Sequence, residues 1–174
     1  MARLRKFSAY RRLERPYTRT SKFKDKAFVR TTPNILIAKF ATGNLKKKYP
    51  YALNLVSRDN LQIRDNAIES ARMTTNRLLE KTLGATGFKM KTSIYPFHVL
   101  RENPLAAGAG ADRFSTGMQK SFGKPTGSAA RVKKGQIIFE VGVEKNGLEI
   151  ARQALNRAAK KLPGSYTIGV KDNK

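Results

Sequence analysis

The stretch from Glu102 to Ala130, ENPLAAGAGADRFSTGMQKSFGKPTGSAA, separates two regions whose patterns are typical of strands. It has 29 residues and shows neither a helical nor a strand period. A compact domain rarely keeps so long a loop without regular structure unless the loop has a function or is disordered. Five of its residues are glycine: Gly108, Gly110, Gly117, Gly123 and Gly127. We therefore predict a long Gly-rich internal loop over residues 102–130 with a function of its own.

Basic residues lie within this loop and at both of its ends: Arg101, Arg113, Lys120, Lys124 and Arg131. Small residues along 106–111 would let backbone amides approach phosphates closely. The loop therefore suits contact with a large anionic surface better than the binding of a small substrate. Three of its residues are apolar for an exposed loop, and they either anchor its base on the domain or stack on nucleotides: Phe114, Met118 and Phe122.

The composition points to a polyanionic partner. The chain has 36 Lys and Arg residues against 12 Asp and Glu residues, a net charge of +24. Self-repulsion at this charge opposes the compact state unless a polyanion neutralises it, so nucleic acid is the first candidate and an anionic membrane the second. The hydrophobic content of 40% at this length supports one core, and we expect one domain over residues 1–174 with basic extensions.

The absence of cysteine excludes disulfides and thiolate metal sites. No apolar run approaches the roughly 20 residues that a transmembrane helix needs. The N-terminus lacks the apolar core of a signal peptide, and its lysines, Glu14 and Asp25 are unlike a transit peptide. We therefore expect a cytoplasmic protein with no membrane partner.

Residues 1–33 form a basic arm with two acidic residues and eleven basic ones: Arg3, Arg5, Lys6, Arg11, Arg12, Arg15, Arg19, Lys22, Lys24, Lys26 and Arg30. Five aromatic residues are spaced between them: Phe7, Tyr10, Tyr17, Phe23 and Phe28. Like charges favour a solvated, disordered tail. The aromatics favour an arm that folds onto RNA, with cations on phosphates and rings on bases or sugars. A triple lysine at Lys46, Lys47 and Lys48 suggests a second phosphate contact, although such runs are often only solvated.

Hydrophobic periodicity predicts two helices. Asp65 is a plausible N-cap for a helix that continues to about Leu83, and Ile68, Ala71, Thr75, Leu79 and Leu83 form its apolar stripe. A second helix is predicted from about Gly147 to Leu162, with the stripe Leu148, Ala151, Leu155, Ala158 and Leu162.

Short apolar or alternating runs predict strands at 34–40, 51–56, 88–95, 97–101 and 166–170. Residues 130–132 and 136–141 flank Lys133-Lys134-Gly135, which predicts a hairpin with Gly135 at positive φ. Strands joined by hairpins, together with two helices, predict an α+β domain of two layers.

The residues that catalysis or a cofactor would need are not grouped in the sequence. His98 is the only histidine, which makes it a structural residue or one that bonds RNA. The carboxylates are scattered, and neither Gly123-Lys124-Pro125-Thr126 nor Gly108-Ala109-Gly110 has the spacing of a nucleotide-binding loop. We expect no cofactor, no metal and no catalytic residue.

Several short motifs together resemble one protein family: Tyr95-Pro-Phe-His-Val-Leu-Arg101, Ala109-Gly-Ala-Asp-Arg113, Thr116-Gly-Met118, Phe122-Gly-Lys-Pro125 and Ala130-Arg-Val132. The chain is identified by them as a member of the universal large-subunit ribosomal protein sixteen family, called "L ten e" in archaea and eukaryotes. The resemblance extends from the basic N-terminus to the helix before Pro163. Eukaryotic members carry cysteines and a longer C-terminus, so this chain resembles the archaeal members.

The resemblance implies a mixed sheet with two helices and a hammerhead-like hairpin arrangement. It implies a monomer within the large ribosomal subunit, bound to large-subunit rRNA and neighbouring ribosomal proteins, between the central protuberance and the peptidyl transferase region. The Gly-rich loop would reach toward the tRNA acceptor arm and would often be disordered off the ribosome. Carried to this chain, the loop-side RNA contacts are Arg101, Arg113, Lys120, Lys124 and Arg131, none of them catalytic.

Two other classes of function are compatible with the sequence. An enzyme acting on RNA could use the long loop as a lid, but it would need clustered titratable groups. A general chromatin or membrane-surface protein could use the charge alone, without selectivity for rRNA.

Overall fold

The computed structural model describes residues 5–13, 22–26, 32–103, 117–119 and 121–172. Within these ranges the chain forms eight strands and two α-helices around one hydrophobic core. This confirms the expected α+β class with two helices. In chain order the strands are β1 (Ala41–Gly43), β2 (Tyr51–Ser57), β3 (Leu61–Arg64), β4 (Phe88–Thr92), β5 (His98–Glu102), β6 (Lys124–Val132), β7 (Ile137–Val143) and β8 (Tyr166–Asp172).

The strands form two sheets, with the orders β1-β4-β7-β2-β8 and β3-β6-β5. Each pair of neighbouring strands is antiparallel. The expectation of a mixed sheet is therefore wrong for the described strands. Parallel neighbours need a long crossover connection, and these sheets contain no parallel pair that would require one. The hammerhead-like hairpin arrangement stays a prediction.

The predicted loop over 102–130 is too long at both ends, because Glu102 ends β5 and β6 begins at Lys124. The strand character of residues 124–130 is hidden in the sequence, since glycine, serine and alanine replace the β-branched residues that mark most strands. Residues 124–129 are held in β6 by pairing with β5, and residues 129–132 pair with β3 on the other side.

The predicted hairpin around Gly135 is also wrong. The turn exists, with Gly135 at φ +83°, but β6 and β7 belong to different sheets. The chain passes from one sheet to the other at this turn, where the Gly135 N–H donates to the Ser57 carbonyl at 2.8 Å.

The helices are α1 (Asp65–Leu83) and α2 (Leu148–Ala159), which pack against each other. Helix α1 contacts strands of both sheets, and α2 contacts β2, β7 and β8 of the five-stranded sheet. The stripe of α1 is confirmed, because Ile68, Ala71, Thr75 and Leu79 are buried. Helix α2 is shorter than predicted: residues 145–147 form a 3-10 turn before it, and the chain leaves the helix after Ala159. Leu162 is nevertheless buried beyond the helix end.

Residues 34–40, predicted as a strand, are not one. Their backbone donors bind carboxylates of α1 instead of a neighbouring strand. The Leu36 N–H donates to Asp65 Oδ2 at 3.2 Å, and the Ala38 N–H donates to Glu69 Oε2 at 3.4 Å. Ile37, between them, is buried in the core. A short apolar run alone does not distinguish this irregular segment from a strand.

Asp65 is the first residue of α1 rather than its N-cap, a position that Arg64 occupies. Its carboxylate is buried and accepts two backbone N–H groups, from Asn66 at 2.8 Å and from Leu36. Asp65 therefore joins the start of the helix to the segment that precedes β1.

We predict that Asp65→Ala lowers the free energy of unfolding by about 1–3 kcal/mol, because it leaves two N–H groups without their acceptor. Glu149→Ala is the matched control, since Glu149 is an exposed acid in the first turn of α2. That control loses only a favourable helix-dipole interaction of about 0.3–1 kcal/mol. Urea denaturation measures both variants, and equal losses would contradict the role assigned to Asp65.

Candidate nucleic-acid interface

The part of the basic arm at residues 5–13, called here the docked segment, lies against the β3-β6-β5 sheet. The Tyr10 hydroxyl donates a hydrogen bond to the carboxylate of Glu102, at the end of β5. Arg5 Nε lies 3.5 Å from the same carboxylate, which is buried although Arg5 is more than half exposed. Burial and this hydrogen bond raise the pKa of Tyr10 to about 12, so the hydroxyl stays a donor at neutral pH.

Arg64, the last residue of β3, gives the docked segment a second attachment. Its guanidinium lies over the Tyr10 ring at 4.6 Å, and Nη1 donates to the Arg5 carbonyl at 3.3 Å. Phe7 packs, half-buried, against the hydrophobic core. Phe7 and Tyr10 thus contact the protein itself, so a solvated tail does not describe these residues.

Gln62 of β3 connects His98 to the arm. Its Nε2 donates to the Arg12 carbonyl at 2.8 Å, which leaves Oε1 to face His98 Nδ1 at 2.5 Å. The amide orientation therefore requires a proton on Nδ1, since Oε1 can only accept. Burial, together with the nearby cations Arg131 and Arg101, lowers the pKa of His98 and favours the neutral ring. The structural interpretation of His98 agrees with these contacts.

A cleft of about 500 Å³ lies between the docked segment and β5. Arg5, Arg12 and Arg101 contribute cations to its walls, and the one carboxylate among its lining residues is that of Glu102. In the ranges that the structure describes, no group of three or more His, Cys, Asp or Glu residues could hold a metal ion. The arrangement can bind anions.

The base of the Gly-rich loop is held by contacts between its two ends. The Arg101 guanidinium lies 3.6 Å from the centre of the Phe122 ring, and Nη1 donates to the Phe122 carbonyl at 2.5 Å. Asn103 Nδ2 donates to the Gly117 carbonyl at 3.0 Å. Phe122, half exposed, therefore anchors the base of the loop. Met118 is exposed, and Phe114 lies outside the described residues.

Gly123 allows the two ends to approach so closely. It has φ +75°, and a Cβ at this position would lie 2.5 Å from the Glu102 carbonyl carbon. Only glycine fits there, because both the backbone conformation and the available space exclude a side chain. The turn that begins β6 is therefore pressed against the residue that binds Tyr10 and Arg5.

The structure describes part of the set of residues predicted to bind rRNA. Exposed cations on the docked segment are Arg5, Lys6, Arg11 and Arg12. The ammonium groups of Lys22 and Lys26 lie 5.2 Å and 5.3 Å from the centre of the Phe23 ring. The backbone of Lys24 begins the 3-10 turn Lys24–Lys26. The predicted residues outside the described ranges are Arg3, Arg15, Arg19, Arg113 and Lys120.

The predicted triple lysine is exposed and lines a groove that the sequence did not predict. This lysine groove, of about 580 Å³, also contains two alternate residues of β4, and its cations are Lys46, Lys47, Lys48, Lys89 and Lys91. Lys47 Nζ lies 2.5 Å from Glu144 Oε1, a contact that raises the pKa of Lys47. The pairing of β1 with β4 brings the two groups of lysines together.

Lys124 and Arg131 are both exposed residues of β6, and Lys124 lies opposite Glu102 in the strand register. The prediction that Arg131 lies at the end of the loop is wrong, because β6 separates it from the loop and places it opposite Gln62 of β3. Sequence reasoning missed Gln62, Arg64 and the structural role of Glu102. The alternation in Leu61-Gln-Ile-Arg64 was the available signal for β3, but four residues form too short a pattern to stand out. No helix in the described ranges is long and apolar enough to span a membrane.

We predict that Tyr10→Phe increases trypsin cleavage after Arg11 and Arg12 by about tenfold. Hydrogen bonds to charged groups contribute about 1.5–3 kcal/mol, and partial exposure favours the lower end of that range. Cleavage follows the population of the undocked state when docking is fast. Ser8→Ala, which removes an exposed hydroxyl from the same segment, is the control. Equal cleavage of Tyr10→Phe and the unsubstituted protein would contradict the attachment.

Comparison with known proteins places the chain in a family. Residues 13–169 match the family described as Ribosomal protein L16p/L10e. The large ribosomal subunit protein uL16 of Archaeoglobus fulgidus is 46% identical over 154 residues, which cover 88% of this chain and 85% of that protein. The uL16 protein of Methanococcus maripaludis is 42% identical over 172 residues, 98% of this chain and 96% of the relative.

A third relative, the uL16 protein of Staphylothermus marinus, is 46% identical over 148 residues, 85% of this chain and 82% of its own. These relatives are archaeal, as the resemblance implied. The match covers both sheets, both helices and the residues of the loop. The chain belongs to the Ribosomal protein L16p/L10e family.

Proposed function

We propose that this protein is a structural constituent of the large ribosomal subunit in the cytoplasm, where it binds large-subunit rRNA and helps to position tRNA. The relatives are named as large ribosomal subunit proteins, which supports the assembly. The observation that carries RNA binding is the placement of charge. The docked segment and the lysine groove present exposed cations, while Glu102 is buried beneath the arm.

The attachment of the docked segment makes it better suited to RNA than a free tail. Fixing the backbone of one residue costs roughly 1–2 kcal/mol of conformational entropy. Contacts to Tyr10, Arg5 and Arg12 already hold the segment on the protein without RNA, so less of this cost falls on RNA binding. The remaining cations can contact phosphates without folding the segment anew. Charge then supplies affinity, and the shape of the RNA supplies specificity.

The Gly-rich loop is proposed to approach the tRNA acceptor arm. Its base is closed by the Arg101–Phe122 and Asn103–Gly117 contacts, which hold Asn103 and Gly117 side by side at one point of the domain. Arg101 and Lys124 would contact RNA at this base, and Arg113 and Lys120 would do so within the loop. Arg131 would contact RNA from the other end of β6, opposite Gln62 of β3. The role is positional and not catalytic. The protein would act as a monomer that also contacts neighbouring ribosomal proteins, with the hammerhead-like hairpin arrangement of the family.

We predict a steep salt dependence for the binding of the protein to large-subunit rRNA. If about ten phosphates are neutralised, the plot of log K against log salt should have a slope of about −7 or steeper. Filter binding at several salt concentrations measures this slope. A slope near about −2 would contradict so large a contact surface.

The double variant Lys89→Ala, Lys91→Ala tests the lysine groove within the same experiment. Each lost phosphate contact should make the slope shallower by about 0.7. Lys81→Ala is the control, because Lys81 is an exposed lysine of α1 outside the groove and the arm.

We predict that replacing residues 104–116 by a short Gly-Ser linker leaves a folded, rRNA-binding domain that fails in translation. Asn103 and Gly117 are in direct contact, so a short linker can join them, and the Arg101–Phe122 contact is retained. Urea denaturation, rRNA binding and in vitro translation are measured on the same variant. Loss of cooperative unfolding would show that the loop belongs to the core, and normal translation would contradict its proposed role.

Arg113→Ala is the second variant in this experiment, since it keeps the loop length and removes one cation. If the loop acts through charge, this variant shows part of the translation defect. If the loop acts through its backbone and length, Arg113→Ala translates normally while the linker variant fails.

A further inference from the structure

Three aromatic rings form a stack on the surface, beside the edge strand β1 and its neighbour β4. This aromatic stack consists of Phe40, Tyr95 and Phe97. The rings of Phe40 and Tyr95 are stacked, with centres 5.3 Å apart and planes inclined by 20°. The rings of Tyr95 and Phe97 lie 4.4 Å apart and are inclined by 45°. The exposure of the side chains increases along the stack, from half-buried Phe40 to Phe97, which is 79% exposed.

Backbone contacts hold the stack in place without any ligand. The Phe97 N–H donates to the Tyr95 carbonyl at 3.0 Å, which closes a tight turn around the buried Pro96. The Thr92 N–H donates to the Phe40 carbonyl at 2.7 Å and joins the first ring to β4. A ring that stands in one orientation loses little entropy when a second flat group stacks on it.

An exposed phenylalanine costs free energy in water, and burying it on the protein would remove that cost. Here the ring lies in a strongly basic chain. Lys39, next to Phe40, is exposed, and the exposed Lys91 of β4 lies opposite Ala41 of β1 in the strand register. Aromatic rings flanked by cations are the combination that binds single-stranded nucleic acid, with bases on rings and phosphates on cations.

We propose that the aromatic stack is a binding site for one unpaired base of RNA, which stacks on the exposed Phe97. The proposal deepens the rRNA-binding function and rests on it. The base extends the series Phe40, Tyr95, Phe97 by one ring, and Lys39 and Lys91 neutralise the phosphates beside it. A protein partner fits the site less well, because the cores of protein interfaces are depleted of charged residues and lysine is disfavoured there.

The test compares two single-stranded RNA oligonucleotides of equal length, one intact and one in which abasic nucleotides replace the central bases. The two carry the same phosphates, so the ratio of their dissociation constants reports contacts to bases. The full chain should bind the intact oligonucleotide about 5- to 140-fold more tightly for one stacked base. Phe97→Ala should remove most of this ratio, and Phe97→Trp should retain it.

Met73→Ala is the matched control, because Met73 is a 58% exposed apolar residue on α1, outside the stack. It should leave the ratio unchanged. If Phe97→Ala keeps the full ratio while binding RNA normally, the stacking site is overturned and the rRNA-binding function stands. If the unsubstituted protein binds neither oligonucleotide at low salt and does not bind rRNA, the proposed function itself fails.

Sedimentation of each variant with large subunits distinguishes a protein partner from a base. If the Phe97→Ala variant keeps the ratio of dissociation constants but no longer sediments with the subunit, the stack is a protein contact and the proposal is overturned. A parallel loss of the ratio and of sedimentation, with both retained in Phe97→Trp, supports the base.

Discussion

At the end of β5, the buried Glu102 carboxylate accepts a hydrogen bond from Tyr10 and pairs with Arg5, and the Gly123 turn lies against its backbone. One residue thus contacts the basic arm, the β3-β6-β5 sheet and the base of the Gly-rich loop. A buried carboxylate without partners is strongly unfavourable. The position of the arm and the burial of the Glu102 carboxylate therefore depend on each other.

The same physical logic recurs where other irregular segments meet the core. Asp65 and Glu69 of α1 accept the N–H groups of residues 36 and 38, and Glu144 pairs with Lys47 near the lysine groove. With a net charge of +24, the chain has few carboxylates, and these ones lie where the backbone or a cation needs an acceptor. The exposed cations then remain directed outward, where a polyanion can neutralise the repulsion that otherwise opposes the fold.

The helices could be predicted from the sequence because their signals are local. An apolar residue every three or four positions determines which face of α1 is buried, and Gly84, at φ +73°, ends it. The strands that were missed or misassigned depend on pairing with distant residues. Residues 124–130 have a composition typical of a loop and become a strand between β3 and β5, whereas residues 34–40 have the composition of a strand and bind helix carboxylates instead.

The sequence by itself determined the charge, the two amphipathic helices, the glycine-rich character of the loop and the motifs shared with the ribosomal family. Each of these is a property of composition or of neighbours a few residues apart. Only the tertiary structure decided that Tyr10 binds Glu102, 92 residues away, that Gln62 joins His98 to the arm, and that Phe97 completes a stack with Phe40. Such contacts form when the core places distant strands side by side, and no periodicity along the chain records which strands will meet.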